Sequence, residues 1–336
     1  MNKDIIILGI ESSCDDTSAA ILKNNNVLSN IIANQQIHTK YGGVVPELAS
    51  RAHQKNIVPV IHEALRIAKI DKSEIDAIAY TRGPGLMGSL LVGGSFAKGF
   101  SLALNKPLIS VNHMQGHILS HFINNNLYNP PKFPFLCLTV SGGHTQIVLV
   151  KDFLDMSVIG QTIDDAAGEA FDKSAKVLGL DYPGGPLIDK FSKNGNINAF
   201  KFAKPKIKNL DFSFSGLKTS IMNLINNEKS KNSNFISENL EDLCASIQHS
   251  IVNILLEKIK LASLNTGIKN IAIAGGVSAN SYLRDQLLKL NSFNVYIPKF
   301  EYCTDNAAMI AVAGYYKFLN KELGNLKETS SARLNF

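Results

Sequence analysis

Residues 112–117 read Asn-His-Met-Gln-Gly-His, which places His113 and His117 at i and i+4. On a helix that spacing stacks both imidazoles on one face, where they can reach a single metal ion. Most histidine pairs of this kind are surface or core residues, so a third ligand carries weight. Asp305, in Cys-Thr-Asp-Asn-Ala-Ala-Met, stands just before an Ala-rich helix, and an N-cap carboxylate there is placed to point into a site. Zinc peptidases share the histidine spacing but need a glutamate directly after the first histidine to activate the metal-bound water. Here that position is Met114, which cannot move a proton, so the peptidase reading lacks its general base.

Three apolar runs end in small polar turns: Ser12-Ser13, Ser141-Gly142-Gly143 and Gly275-Gly276. Glycine lets backbone N–H groups approach an anion, and a following helix adds the positive end of its dipole. One such turn is weak evidence; three in one chain, two of them in related hairpins, favour nucleotide binding. After Ile-Asp-Asp-Ala-Ala-Gly, Ala167, Phe171, Ala175 and Leu178 recur at helical spacing and predict a core face, with Asp165, Glu169, Asp172 and Lys176 opposite. Asp172 has two readings, an i, i+4 pair with Lys176 or an acceptor for ribose hydroxyls, and spacing alone favours the pair. Asp15 and Asp16, in the first polar turn, either receive a proton from an attacking amine or only order the loop.

These residues need elements to hold them. DIIILGI reads as a buried strand, ESSCDDTS as a tight polar turn and AAIL as a second strand. FLCLTV, SGGHT and QIVLV repeat the arrangement at 135–150, which suggests an internal duplication. INNNLYNPPKFP (123–134) has the Asn and Pro content of a lobe boundary. DAIAYTR, PLISVN and KNIAIAGG read as strands, and SLLVGGSFAKGFSLAL, HMQGHILSHF and a segment from about Ser278 to Leu290 as helices. The alternation predicts an α/β architecture of two lobes. NNEKSKNSNFISEN (226–239) reads as a surface loop between helices.

At 336 residues the chain fits two domains, and 45% hydrophobic with 18% charged residues is a globular composition. MNKDIIILGIESS has too short an apolar run for a signal peptide, and the longest apolar candidate, around Leu90 to Leu104, carries Lys98 and several glycines. The expectation is a cytoplasmic protein with no membrane association. Cys14, Cys137, Cys244 and Cys303 are far apart, which argues against a disulfide scaffold and a cysteine zinc site. A net charge of +6 permits a nucleic-acid partner, and Lys, Asn and Ile usage fits an AT-rich genome equally well.

Taken in order, GIESSCDDTSAA, RGPGLMGSL, NHMQGH, VSGGHTQ, IDDAAGEAFDK, YPGGP, DFSFSGLK, AGGVSAN and CTDNAAMIA resemble the TsaD (Gcp) family of tRNA N(6)-adenosine threonylcarbamoyltransferases, from about residue 6 to 315. The resemblance implies an actin-like fold of the ASKHA superfamily with two duplicated RNase H-like lobes. It divides the chain into a first lobe at 1–123 with the metal-binding histidines, a second at 135–300 with the nucleotide-binding turns, and a helix and tail at 301–336 returning to the first. It implies one divalent metal, Fe(2+) by family usage and Zn(2+) or Mn(2+) by ligand type, held by His113, His117 and Asp305. Thr139, Val140, Ser141, Gly142 and Gly143 become substrate-binding, as do Asp172, Gly185, Asp189 and Asn280. The implied reaction passes the threonylcarbamoyl group of threonylcarbamoyl-AMP to the N(6) amine of the adenosine 3′ to the anticodon, without a covalent enzyme intermediate. The implied partners are tRNA, TsaB and TsaE. Lys193, Lys201, Lys204, Lys206 and Lys208, interleaved with Phe200, Phe202 and Phe212, form the expected RNA-binding stretch. Rival readings are a small-molecule kinase of the same superfamily, a scaffold ATPase and, less favoured, a metallopeptidase.

Overall fold

The computed structural model describes residues 4–124, 129–205 and 207–336. Positions 125–128 of the expected boundary segment, and Lys206, lie outside the described residues. The chain forms two compact units: unit 1 is Met1–Pro131, Phe153–Asp155 and Pro298–Phe336, and unit 2 is Lys132–Asp152 and Met156–Ile297.

Unit 1 begins with β1 (Ile6–Glu11), β2 (Thr17–Lys23), β3 (Asn26–Ala33), α1 (Pro46–Ala68), β4 (Ala77–Gly83), α2 (Met87–Leu104), β5 (Leu108–Asn112) and α3 (His113–Leu119). Unit 2 contains β6 (Phe135–Val140), β7 (Thr145–Val150), β8 (Met156–Gln161), α4 (Ala167–Val177), α5 (Gly184–Phe191), α6 (Ser215–Lys229), α7 (Phe235–Glu238), α8 (Leu240–Thr266), β9 (Asn270–Ala274), α9 (Ser281–Leu288) and β10 (Asn294–Tyr296). The last helix, α10 (Ala307–Leu319), belongs to unit 1.

The sheet of unit 1 runs β3-β2-β1-β4-β5, and that of unit 2 runs β8-β7-β6-β9-β10. In each, the first three strands pair antiparallel and the next two join parallel. Antiparallel neighbours can be joined by short turns, whereas parallel neighbours need helical crossovers, here α1 and α2 in unit 1 and α4–α8 and α9 in unit 2. The same order and senses therefore occur twice, as the repeated hairpin predicts. This is the duplicated RNase H-like arrangement of the actin-like fold.

Both cores follow from sequence period. All six residues of β1 and all six of β6 are buried, as expected of central strands covered on two faces. Ala167, Phe171, Ala175 and Leu178 are buried as the helical spacing of α4 requires. In α8, Leu243, Ile247, Ile251 and Leu255 recur at i, i+4 and are fully buried. The stretch 226–239 is not a loop throughout: α6 extends to Lys229 and α7 covers Phe235–Glu238. Leu217, Ile221 and Ile225 supply the buried face of α6, so its polar end continues as an exposed helical turn. Helix α2 has the length and apolarity of a membrane span. Its Ser89, Leu90, Gly93, Gly94, Ala97 and Ser101 are buried, and it packs on β4 and α1.

The seating of α10 fixes where residue 305, just before it, stands in unit 1. A Cβ on Gly9 of β1 would stand 2.4 Å from the Ala307 carbonyl oxygen, and one on Gly314 would stand 2.4 Å from the Ala79 Cβ. Glycine at both positions lets the helix approach β1 and β4 almost backbone to backbone. Its first turn is pinned by Ala307 N–H donating to Ser18 Oγ at 2.8 Å and Ala308 N–H to Asn30 Oδ1 at 3.3 Å. Gly314→Val should cost about 1–3 kcal/mol through overpacking. Urea unfolding checks this, and a midpoint equal to the parent's would refute the close approach.

Candidate functional site

The side chain of Asn112, at the end of β5, sets the start of α3. Its Oδ1 accepts from Met114 N–H at 2.9 Å and Gln115 N–H at 3.4 Å, an N-cap that satisfies donors the helix leaves unpaired. His113 and His117 then fall one turn apart with their rings edge to face, centroids 4.7 Å apart. Asp305 Oδ1 lies 3.2 Å from His117 Nε2 and 3.4 Å from His113 Nε2. The N-cap of α10 is not Asp305, as the sequence suggested, but Asn306, whose Oδ1 accepts from Met309 N–H at 3.1 Å. That arrangement leaves Asp305 outside the helix and able to face the histidines.

The three donor atoms lie within 4.8 Å of one another. Ligands about 2.1 Å from a common ion stand roughly 3.0–3.4 Å apart in octahedral or tetrahedral geometry, so the two nitrogen-to-oxygen separations fit a shared cation. The donor set also fits chemically, since two imidazoles and a carboxylate suit first-row divalent metals. Asp305 keeps 28% of its side chain exposed, while His117 has none exposed. One side of the cluster thus reaches the surface, as an open rather than a closed metal site would require.

Glu11 escaped the sequence reading. Its side chain is fully buried at the end of β1. Oε2 lies 3.0 Å from His113 Nδ1 and accepts from Thr81 Oγ1 at 2.6 Å, while Oε1 accepts from Ser13 N–H. A carboxylate on Nδ1 fixes the tautomer that presents Nε2 outward, the usual support of a metal-binding histidine. The available signal was a single acidic residue closing an otherwise apolar strand, which burial would force to find partners. Burial alone would drive a proton off His113, but Asp305 and Glu11 hold its affinity well above the ordinary histidine value. Burial would likewise raise Asp305 and Glu11, yet His113 pulls both below the usual carboxylate range, with His117 adding to the effect on Asp305. Burial, in contrast, lowers the proton affinity of His117, against the pull of Asp305.

Asp15 and Asp16 sit in the β1–β2 turn, half-buried. Burial, and then the charges of Asp15, Asp305 and Glu11, push Asp16 up to about 7. Neighbouring Cys14 is driven upward by burial and by Asp305, so it is a protonated thiol rather than a nucleophile.

The remaining sequence-selected residues all belong to unit 2. Thr139 and Val140 have buried side chains in β6, so the turn beyond them offers Ser141, Gly142 and Gly143. Ser141 N–H donates to the His144 carbonyl at 2.8 Å and Ser141 Oγ accepts from His144 N–H at 3.1 Å, closing the turn. The Gly142 and Gly143 N–H groups make no hydrogen bond among the described residues, and a Cβ on either would meet nothing. Asp172 does not pair with Lys176. Its Oδ1 accepts from Gly184 N–H at 2.8 Å and Gly185 N–H at 3.3 Å, at the start of α5. Burial raises its pKa, and those two bonds work against the rise. Asp189 joins α5 to α9: its oxygens accept from Ser281 Oγ at 2.8 Å and Ser281 N–H at 3.1 Å. Asn280 caps α9 through Leu283 N–H at 2.9 Å and donates to Gln248 Oε1 at 2.7 Å.

The aromatic residues expected to stack on RNA are structural. Phe212 is fully buried, while Phe200 and Phe202 pack partly buried against the unit 2 core. Lys193, Lys201 and Lys208 are exposed, and Lys204 pairs with Glu257. An aromatic next to lysine in sequence had two destinations, and core packing took these. For Asp16 the sign is that of a raised carboxylate: its contribution to stability is complete below 3.8 and is lost as pH rises through about 7. Asp16→Asn should therefore flatten the fall in urea midpoint across that window; an unchanged slope would show that Asp16 does not titrate there.

Residues 26–312 match the TsaD family, described as tRNA N6-adenosine threonylcarbamoyltransferase. The protein of that name from Christiangramia forsetii is 59% identical over 338 residues, covering 100% of this chain and 99% of its own. The one from Riemerella anatipestifer is 61% identical over 335 residues, 98% of each chain. Among solved structures, T. kodakarensis HypF superposes on 95% of this chain with a TM-score of 0.61 at 14% identity, and this chain spans 48% of it. A full-length HypF in a phosphate- and nucleotide-bound form gives a TM-score of 0.58 at 14% identity, with 46% of its length spanned. At that identity the likeness speaks for the fold alone, whereas the full-length relatives speak for the family. This chain belongs to the TsaD family and is a tRNA N6-adenosine threonylcarbamoyltransferase.

Proposed function

We propose that this transferase performs metal-assisted acyl transfer, moving the threonylcarbamoyl group from threonylcarbamoyl-AMP to the N(6) amine of the adenosine immediately 3′ to the anticodon, in tRNAs that read codons beginning with adenine. The observation that carries this reading is the cluster of His113, His117 and Asp305 with Glu11 behind it. His113, His117 and Asp305 are the ligands. Bound there, a divalent ion would supply Lewis-acid polarisation and positive charge; Fe(2+) is favoured by the family resemblance, and Zn(2+) and Mn(2+) suit the same ligands.

The protein's own groups do the rest. Glu11 holds His113 in the tautomer that faces the ion. The unpaired N–H groups of Gly142 and Gly143, with Ser141 beside them, bind the donor's phosphate, and the backbone at Thr139 and Val140 fixes the turn. Asp172, anchored at Gly184 and Gly185 through Oδ1, accepts ribose hydroxyls through its other oxygen. Asn280 lies against the adenine, and Asp189 keeps its helix in place. The amine nitrogen attacks the carbamoyl carbon, the carbon–oxygen bond to phosphate breaks, and AMP leaves with the electron pair. A carboxylate of the first turn takes the amine proton. Asp16, near 7, is matched to that task better than an ordinary carboxylate, and Asp15 beside it is the other acceptor. The mixed anhydride is already activated, so no protein nucleophile is required.

The working assembly includes TsaB and TsaE, in the cytoplasm, with lobes at 1–123 and 135–300 and the segment 301–336 completing the first. The test supplies protein, tRNA, threonine, bicarbonate, ATP, the adenylate-forming enzyme, TsaB and TsaE, and detects the modified nucleoside by mass spectrometry. Asp305→Ala and His117→Ala should each lower turnover about a hundredfold or more, the scale of losing a principal electrostatic stabiliser, with cooperative unfolding retained. Normal turnover by either variant after chelator treatment would overturn the metal assignment. Asp172→Asn should raise KM for the adenylate roughly tenfold with little change in kcat, as expected for a lost charge-assisted hydrogen bond made equally in ground and transition states. A kcat loss at constant KM would remove it from ribose binding.

A further inference from the structure

Beyond α10 the chain forms no further helix or strand, yet it is tied down along its length within unit 1. Gly324 N–H donates to the Leu108 carbonyl at 2.8 Å, at the start of β5. Lys98, the one charged residue of α2, donates to the Glu328 carbonyl. Arg82 Nε donates to the Thr329 carbonyl at 3.0 Å, and Ser331 N–H returns a bond to the Arg82 carbonyl at 2.9 Å. Gly85 N–H then donates to the Ala332 carbonyl at 3.3 Å, and Asn112 Nδ2 to the Asn335 carbonyl at 3.0 Å. The path is cleared by glycine. At Gly83, with φ +155, a Cβ would stand 1.9 Å from the Ser331 carbonyl oxygen, and at Gly94 a Cβ would stand 3.1 Å from Ser330 Oγ.

The last of these bonds reaches the residue that caps α3. Asn112 is 6% exposed, and its amide divides its two ends: Oδ1 takes the helix N–H groups while Nδ2 gives to Asn335. An amide torsion is broad and nearly two-fold, so an acceptor on the Nδ2 side reinforces the orientation that the N–H groups on Oδ1 select. Helix α3 has only seven residues, and so short a helix has little cooperativity of its own to hold its first turn. That first turn carries His113.

We propose that residues 324–336 are a strap that positions the ligand helix: by holding the Asn112 amide, the strap keeps the α3 cap closed and so sets how firmly His113 and His117 are presented to an ion. This rests on His113, His117 and Asp305 being the metal ligands. The segment lies outside the residues matched to the family, 26–312, and Asn112 and Asn335 are positioning rather than catalytic residues.

The test is Co(II) affinity of metal-stripped protein, read by visible absorption against a competing chelator well below the unfolding temperature. Two variants are compared with the parent. A chain truncated after Leu334 removes Asn335 and its bond to Asn112 while keeping the bonds of Ser331 and Ala332. Asn112→Asp in the full chain keeps a capping oxygen but faces the Asn335 carbonyl with another acceptor. Each should bind Co(II) about tenfold more weakly, the low end of the cost of losing an outer-shell support, while unfolding cooperatively. Combining them should add little, because both break one link. Parent-like affinity in Asn112→Asp overturns the strap whether or not the truncated chain folds. A parent that shows no Co(II) band, or one that survives Asp305→Asn unchanged, overturns the ligand assignment instead, and the strap proposal falls with it.

Discussion

Burying an ionised carboxylate costs several kcal/mol unless partners answer it, and in unit 1 the Glu11 carboxylate is buried at the last position of an otherwise apolar strand. Three elements supply the answer: the turn after β1 through Ser13, β4 through Thr81 and α3 through His113. The ring of His113 is thereby held by the sheet as well as by its own helix. Its outward nitrogen meets Asp305, which α10 delivers because Gly9 and Gly314 let that helix settle directly on β1 and β4. Removing the buried charge would leave His113 Nδ1 with only Ser13 Oγ, at 3.1 Å, so the orientation of the ring traces back largely to Glu11.

The duplicated hairpin shows how one backbone plan serves opposite electrostatics. In both units a central strand turns sharply into its antiparallel neighbour. The first turn, between β1 and β2, carries Asp15 and Asp16, and burial with the charges of Asp15, Asp305 and Glu11 favours a proton on Asp16. The second, between β6 and β7, carries Gly142 and Gly143 with unpaired N–H groups and favours anions.

Where sequence and structure diverged, a local rule had more than one legal outcome. Asp305 read as an N-cap, but Asn306 beside it is an equally good cap and took that role. Asp172 could reach Lys176 one turn on, yet the start of α5 brought two N–H donors, and a buried carboxylate does better with those than with a solvated lysine. Phe200, Phe202 and Phe212 looked like platforms beside lysines; Phe212 was drawn fully into the core, and Phe200 and Phe202 pack partly buried against it, where aromatic surface is worth most. Helix α1 passed unread because its apolar stripe is diluted by polar residues, while α6 and α8 were read only as the helices flanking 226–239.

The sequence by itself determined the strand-turn-strand repeat, the buried strands, the core face of α4, the histidine pair and the order of motifs that marks the family, because each is a short-range pattern imposed by the period of a helix or strand. Only the tertiary structure decided that Glu11 supports His113, that Asn306 frees Asp305, that glycines admit α10 to the sheet, and that the segment after α10 reaches back to Asn112. Such contacts join residues as much as 289 positions apart, as between Ser18 and Ala307. Their distances are set by how sheets and helices pack, which no local window of residues contains.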